Sequence, residues 1–260
     1  NLKLIQQSNF EKNYQTSCFT SVFKGAKWIE AFFEDILKQS IFDDVEFVII
    51  NANSPEKEQE EEVILDYEKK YKNIKYMTLE KDPGVYAVWN IGIEMSQGDF
   101  LSNWNLDDKR HPEHIEEHVK CLKSNPEIDL AYAHVLMTCT EKDTFEFNNA
   151  VAEYRMPEFS YENLLKYNMP HNCPVWRRRL HDNYGHFKTD MISAADFDLW
   201  LRAASQGSLF KGIDRTLGLY YKNPEGVSTK KETLSEAVQE VNDLRVKYSE
   251  MADYRNFIIK

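Results

Sequence analysis

Gly98-Asp99-Phe100-Leu101-Ser102-Asn103-Trp104-Asn105-Leu106-Asp107-Asp108 is the stretch on which the reading of this chain turns. A glycine and an acid lead into an apolar run that stops abruptly at two adjacent carboxylates. Such a run reads as a short buried strand whose C-terminal end delivers both acids to one point. In open α/β sheets, ligands collect at that end of the strands. Adjacent carboxylates repel unless protons or a cation neutralise them. Hard oxygen donors that leave room for a phosphate suit Mg2+ or Mn2+. The same acids would serve a turn and helix entry, where Asp is common. On this segment alone both readings stand.

Upstream, strands and helices alternate. Residues 16–23 read as a strand ending at Lys24-Gly25, and Trp28, Ile29, Phe32, Phe33, Ile36 and Leu37 then recur at helical spacing. The nearly continuous apolar run 45–50 fits a strand covered on both faces. It stops at Asn51-Ala52-Asn53-Ser54-Pro55, where Ser54 is placed to cap a helix and Pro55 to begin it. The Glu-rich start of that helix (Glu56, Glu58, Glu60, Glu61, Glu62) reads as a solvated face favoured by the helix dipole. A third strand spans 74–79, and Asp82-Pro83-Gly84 turns into a helix over 85–95, with Gly98 closing it. Past the paired acids come a helix over 112–124 and a strand over 130–138. The alternation predicts an α/β fold with a Rossmann-like, mostly parallel central sheet and helices on both faces.

Beyond residue 140 the pattern loosens. An irregular stretch fills 141–157, and Ser160 caps a short helix reaching Tyr167. A turn-rich connection over 168–174 leads to a short strand over 175–179. A helix over 193–206 is closed by Gly207. Short strands follow at 209–213 and 217–221, then a charged helix over 234–254. His111, His114 and His118 fall on one helical face and read as solvated, since the H-E-x-x-H arrangement is missing. Trp176-Arg177-Arg178-Arg179 offers a local basic pocket for phosphate or plain solvent charges.

The 260 residues can bury a sizeable core, and the formal net charge of −11 excludes a general nucleic-acid binder. No apolar run approaches the roughly 18 residues of a membrane span. Four scattered cysteines, Cys18, Cys121, Cys139 and Cys173, form neither a zinc pattern nor a disulfide framework. With no secretory leader visible, the expectation is a cytoplasmic chain, at most peripheral to a membrane. The chain opens on Asn1 rather than Met, which leaves room for further domains of a longer chain.

Five segments, in order, resemble a family 2 glycosyltransferase of the GT-A fold. They are Thr20-Ser21-Val22-Phe23-Lys24-Gly25, Ile49-Ile50-Asn51-Ala52-Asn53-Ser54, Asp82 through Ile93, Asn105-Leu106-Asp107-Asp108, and Ala195-Asp196-Phe197-Asp198-Leu199-Trp200-Leu201-Arg202. The fourth matches that family's D-x-D metal motif with Asn in first place. The resemblance implies a metal-dependent, inverting transfer of a sugar from a nucleoside-diphosphate sugar to a hydroxyl of a glycan or other acceptor. UDP is the favoured nucleotide, although Asn51 stands where an acid commonly meets the base. Asp107 and Asp108 would hold Mn2+ or Mg2+, and Asp196 would be the catalytic base. Thr20, Ser21, Phe23, Asn51, Asn53, Asp82, Tyr86, Asn90, Asn105, Leu106, Asp107 and Lys222 would bind the sugar nucleotide. His171, Trp176 and Trp200 would face the acceptor.

The residues also support blander roles. Ser193-Ala194-Ala195-Asp196 is close to a capping box, so Asp196 could serve the helix start instead, and Asp198 reads as a helix-surface acid. The expected organisation is a GT-A domain over 1–228, its nucleotide part about 16–108 and its acceptor part about 109–228, with a helical extension or linker over 229–260. A non-catalytic sugar-nucleotide or glycan-binding module of a larger glycosyltransferase is the alternative. A nucleotidyltransferase would want a Gly-rich basic phosphate loop near the N-terminus, and Lys24-Gly25 is all the first loop offers.

Overall fold

The computed structural model describes residues 14–258 except residue 228, with side chains described up to residue 250. Residues 1–13 and the expected domain boundary at 228 lie outside the described residues.

The first half is a run of βα units. In order come β1 (Thr16–Val22), α1 (Ile29–Leu37), β2 (Val45–Asn51), α2 (Lys57–Lys70), β3 (Ile74–Thr78), α3 (Val85–Met95) and β4 (Phe100–Asn103). They give four parallel strands in the order β3-β2-β1-β4. Side chains alternate across a strand, and here the two faces feed two cores. Phe19, Val48 and Ile50 join Trp89, Trp176 and Trp200 on one side. Cys18, Phe47 and Ile49 join Phe32, Phe33 and Trp104 on the other.

The second half comprises β5 (Lys109–Arg110), α4 (His114–Ser124), β6 (Ile128–Thr138), β7 (Ala152–Tyr154), α5 (Tyr161–Lys166), β8 (Val175–Arg177), α6 (Arg179–Tyr184), α7 (Ala195–Ala204), β9 (Leu209–Tyr221) and α8 (Lys231–Ile258). The sheet continues from β4 as β8-β6-β9-β5, with β7 on β6. β8 runs antiparallel to both its neighbours, whereas β6 and β9 are parallel. The two short strands expected at 209–213 and 217–221 are one strand, carried across Asp214-Arg215 by a shift of register beside His134.

Several surface expectations are corrected. His114 and His118 are fully buried, because α4 lays their face against β9. His114 Nδ1 donates to the Leu217 carbonyl at 3.1 Å and His118 Nδ1 to the His114 carbonyl at 2.7 Å. Burial keeps both neutral and pushes His118 down to about 3. The three arginines bind backbone rather than forming a phosphate pocket. Arg178 donates to the carbonyls of Ile93, Ser96 and Gly98, Arg177 to those of Leu122 and Ile128, and Arg179 pairs with Asp129. Asp198 is fully buried where α8 and the segment before α7 converge, with Lys188 at 2.7 Å, Arg202 at 3.3 Å and Lys247 at 3.6 Å.

α8 lies on the body of the fold. Leu244 and Tyr248 sit in the core that holds Trp176 and Trp200, and Arg245 donates to the carbonyls of Leu165 and Lys166. Among the described residues no helix is long and apolar enough to cross a membrane.

Candidate active site

The loops after β1 and β2 meet face to face. Each contains a left-handed residue, Lys24 at φ 52° and Asn53 at φ 57°, a conformation tolerated by Asn but costly for most side chains. Glu60, expected on a solvated face, is buried and ties the loops together. It accepts from the Gly25 amide at 2.6 Å, the Asn51 amide group at 2.7 Å and the Ser54 hydroxyl at 2.9 Å. The Ser54 hydroxyl also takes the Lys24 amide at 2.9 Å and the Glu56 amide at 3.1 Å, so it serves the entry to α2 as expected, although the regular helix begins after Glu56. Asn51 is spent as well, since its Oδ1 accepts from the Ser54 amide at 2.9 Å. With both polar ends engaged and the side chain buried, it is not presented to a nucleotide base. Glu60→Ala would leave three donors short of an acceptor at about 1–3 kcal/mol for each that stays buried. A lower urea midpoint is the expected result.

Around these loops the other sequence candidates scatter. Thr20 is buried, Ser21 is half-buried, and Phe23 stands 42% exposed at the loop. Exposed Asp82 accepts from the Gly84 amide at 2.8 Å, fixing the turn into α3. Asn90 exchanges two hydrogen bonds with the Phe187 backbone, at 2.9 and 3.1 Å. Leu106 packs beneath Gly25, where a Cβ would collide with it. Lys222 is exposed, and its amide donates to the Thr138 carbonyl at 2.9 Å.

At the end of β4 the paired acids separate in role. Asp108 is buried, its Oδ1 taking the Tyr221 amide at 3.2 Å and its Oδ2 the Asn105 amide group at 3.0 Å. Burial, then the neighbouring Asp107 charge, pushes it up to about 8. Asp107 is half-exposed, and its Oδ2 accepts from Asn223 Nδ2 at 2.9 Å. Asn223 lies in the loop after β9, so that loop already touches the motif.

Beside the motif opens a cavity of about 250 Å3, walled by Tyr86, Asn105, His171, Asp196, Trp200 and Tyr220 among others. Asp196 stands in the first turn of α7, and its Oδ2 accepts from Asn168 Nδ2 at 3.1 Å. Burial raises its pKa, against the pull of His171 and Asn168. Burial also holds His171 below the ordinary histidine range, and its ring meets that of Tyr220 edge-on at 5.0 Å. Ser193 forms no capping box with Asp196; the Glu240 carboxylate of α8 takes the amides there instead. Asp196 is thus left to face the cavity.

The two tryptophans differ. Trp200 is buried but walls the cavity, and its Nε1 lacks a hydrogen-bond partner among the described residues. Trp176 has no exposed surface, so it presents nothing to an acceptor. Asn168, Asn223 and Glu240 were not singled out by sequence, because each acts through a partner far along the chain.

The family model described as "Glycosyl transferase family 2" matches residues 17–183. The chain belongs to that family. An uncharacterised glycosyltransferase of Methanocaldococcus jannaschii is 25% identical over 202 residues, covering 76% of this chain and 67% of the relative. Among solved structures, TarS 1–349 of S. aureus in complex with UDP-GlcNAc superposes with a TM-score of 0.71 at 17% identity, covering 91% of this chain and 70% of that one. The mannosyltransferase PcManGT of Pyrobaculum calidifontis, in complex with GDP-Man and Mn2+, gives 0.67 at 13% identity, covering 91% and 65%. These structural likenesses establish the GT-A fold for this family 2 chain. The chain spans about two thirds of the length of each of these proteins.

Proposed function

We propose that this chain transfers a sugar from a nucleoside-diphosphate sugar, a UDP-sugar first, to an acceptor hydroxyl with inversion at the anomeric carbon, with Asp196 as base. The supporting observation is one carboxylate, raised in pKa by burial, on the wall of a cavity that reaches Asn105 of the acidic motif. A base within reach of the acceptor is what such a displacement requires. Asp196 would take the acceptor hydroxyl proton as the new carbon–oxygen bond forms and the bond to the diphosphate breaks. His171 and Asn168 favour the ionised form of Asp196 and so keep it able to accept. The glycan or other acceptor would enter by His171 and Trp200.

The donor set distinguishes the two acids as ligands for a divalent cation. Asp107 fits: it is half-exposed, and its Oδ1 has no partner among the described residues. Asp108 is the less open donor, because it is buried and each of its oxygens already accepts one amide. Asp107 would therefore hold Mn2+ or Mg2+ at the diphosphate, where the ion supplies Lewis-acid stabilisation of the leaving group. Asp108 and Asn105 shape the turn that carries it, and Asn223 brings the loop of Lys222 alongside.

The first test is thermal unfolding with UDP, GDP, dTDP and CMP, each with and without Mn2+. A nucleotide at a hundredfold over its dissociation constant adds about 2.7 kcal/mol. Stabilisation by one diphosphate only with Mn2+, lost in Asp107→Ala, is expected. No shift with any nucleotide would sink the diphosphate site.

A further inference from the structure

We infer that Glu240 of α8 is a positioning residue for Asp196, clamping the turn that launches α7 and so setting where the carboxylate stands in the cavity. The inference rests on the reading of Asp196 as base. Glu240 Oε1 accepts from the Ile192 amide at 2.6 Å, and Oε2 from the amides of Ser193 at 2.9 Å and Ala194 at 3.2 Å. These amides run into the start of α7, where the cap residue Ala194 has no side chain to offer them. One carboxylate from a distant helix therefore fixes three consecutive amides just before Asp196, by hydrogen bonds of the charge-assisted kind. Ile192 and Ser193 also wall the cavity, so the clamp sets part of its surface.

α8 grips α7 on the far side of Asp196 as well. Tyr248 donates its hydroxyl to Asp198 at 3.1 Å, two residues beyond the base. Glu240 is presented there because its own helix is seated: Ala237 and Leu244, one turn to either side, are buried. A base displaced by about 1 Å can lose on the order of a hundredfold in rate, so a clamp at this turn acts on turnover more than on donor binding.

The experiment compares Glu240→Ala, Glu240→Gln, Arg245→Ala and Asp196→Asn with wild type, all in the full chain. Amide hydrogen exchange is followed over 192–196. UDP binding is measured, and UDP release from UDP-GlcNAc and GDP release from GDP-mannose are assayed with Mn2+. Arg245→Ala is the structural control, since it removes a contact between α8 and α5 while leaving the Glu240 bonds to the α7 turn in place. Glu240→Ala is expected to accelerate exchange at 192–194 and lower kcat at least tenfold, with UDP affinity within twofold of wild type. Glu240→Gln, which keeps one acceptor oxygen, should recover part of the rate, and Arg245→Ala should keep both exchange and kcat. Unchanged exchange at 192–194 in Glu240→Ala, or a kcat no lower than in Arg245→Ala, would overturn the clamp. Asp196→Asn reports separately on the base: full turnover in that variant would sink the reading of Asp196 as base while leaving the exchange result standing.

Discussion

Asp196→Asn is expected to lower turnover by about 10²–10⁴-fold, the range for loss of a general base, while UDP binding stays within twofold. The substitution is nearly isosteric, and its carbonyl oxygen can still accept from Asn168. Ground-state architecture therefore persists and proton transfer is what disappears. UDP release from UDP-GlcNAc with Mn2+, set beside UDP calorimetry, separates the two. The pH profile carries a sign that follows from burial. A base works when ionised, and burial raises the pKa of Asp196. Activity should fall as pH drops through that raised value, placing the acid limb above the ordinary Asp range near 3.9. A limb at the ordinary value would mean the carboxyl is well solvated during turnover. A non-catalytic binding module would lose nothing in the variant.

The parallel half of the fold was legible because its signals are local. The apolar run at 45–50 marks a strand buried on both faces, and the periodicity of Trp28 through Leu37 marks the helix before it, so β1, α1 and β2 follow within a residue or two. The acidic motif was legible too, as a strand end. What escaped was long-range. Glu60 is one of five glutamates in a short run, and only the approach of Gly25 and Asn51 removes it from water. Asp198 looks like a helix-surface acid until α8 brings Lys247 and Tyr248 over it. The histidines of α4 look solvated until β9 covers them. The division between Asp107 and Asp108 depends on the Tyr221 amide and on Asn223, both more than a hundred residues downstream. Polar side chains carry little local information about burial, because burial depends on a partner that satisfies them.

Trp176→Ala is expected to cost about 3–5 kcal/mol, the range for deleting a large aromatic from a core. Resemblance placed Trp176 at the acceptor; its packing places it at the centre of the fold. It pairs with Leu101 of β4 and Leu130 of β6, bridging the parallel half to the rest of the sheet. Its ring meets Phe19 at 5.9 Å, Trp200 at 5.3 Å and Phe187 at 6.2 Å, all in edge-on geometry. Its Nε1 donates to His181 Nε2 at 2.9 Å, and burial pushes that histidine down to about 3, leaving the nitrogen free to accept. Alanine would open a cavity against three aromatic rings and also orphan the histidine. At about 2–4 °C per kcal/mol for a domain of this size, the melting temperature should fall by roughly 10 °C. Trp176→Phe, which keeps most of the bulk and loses only the N–H, should cost less, and the gap between the two variants measures packing against hydrogen bonding. If Trp176→Ala instead left the melting temperature unchanged and raised only the acceptor KM, the residue would belong to the acceptor site. No exposed surface remains through which that could happen without moving Trp200, and Trp200 stands on the same helix as Asp196.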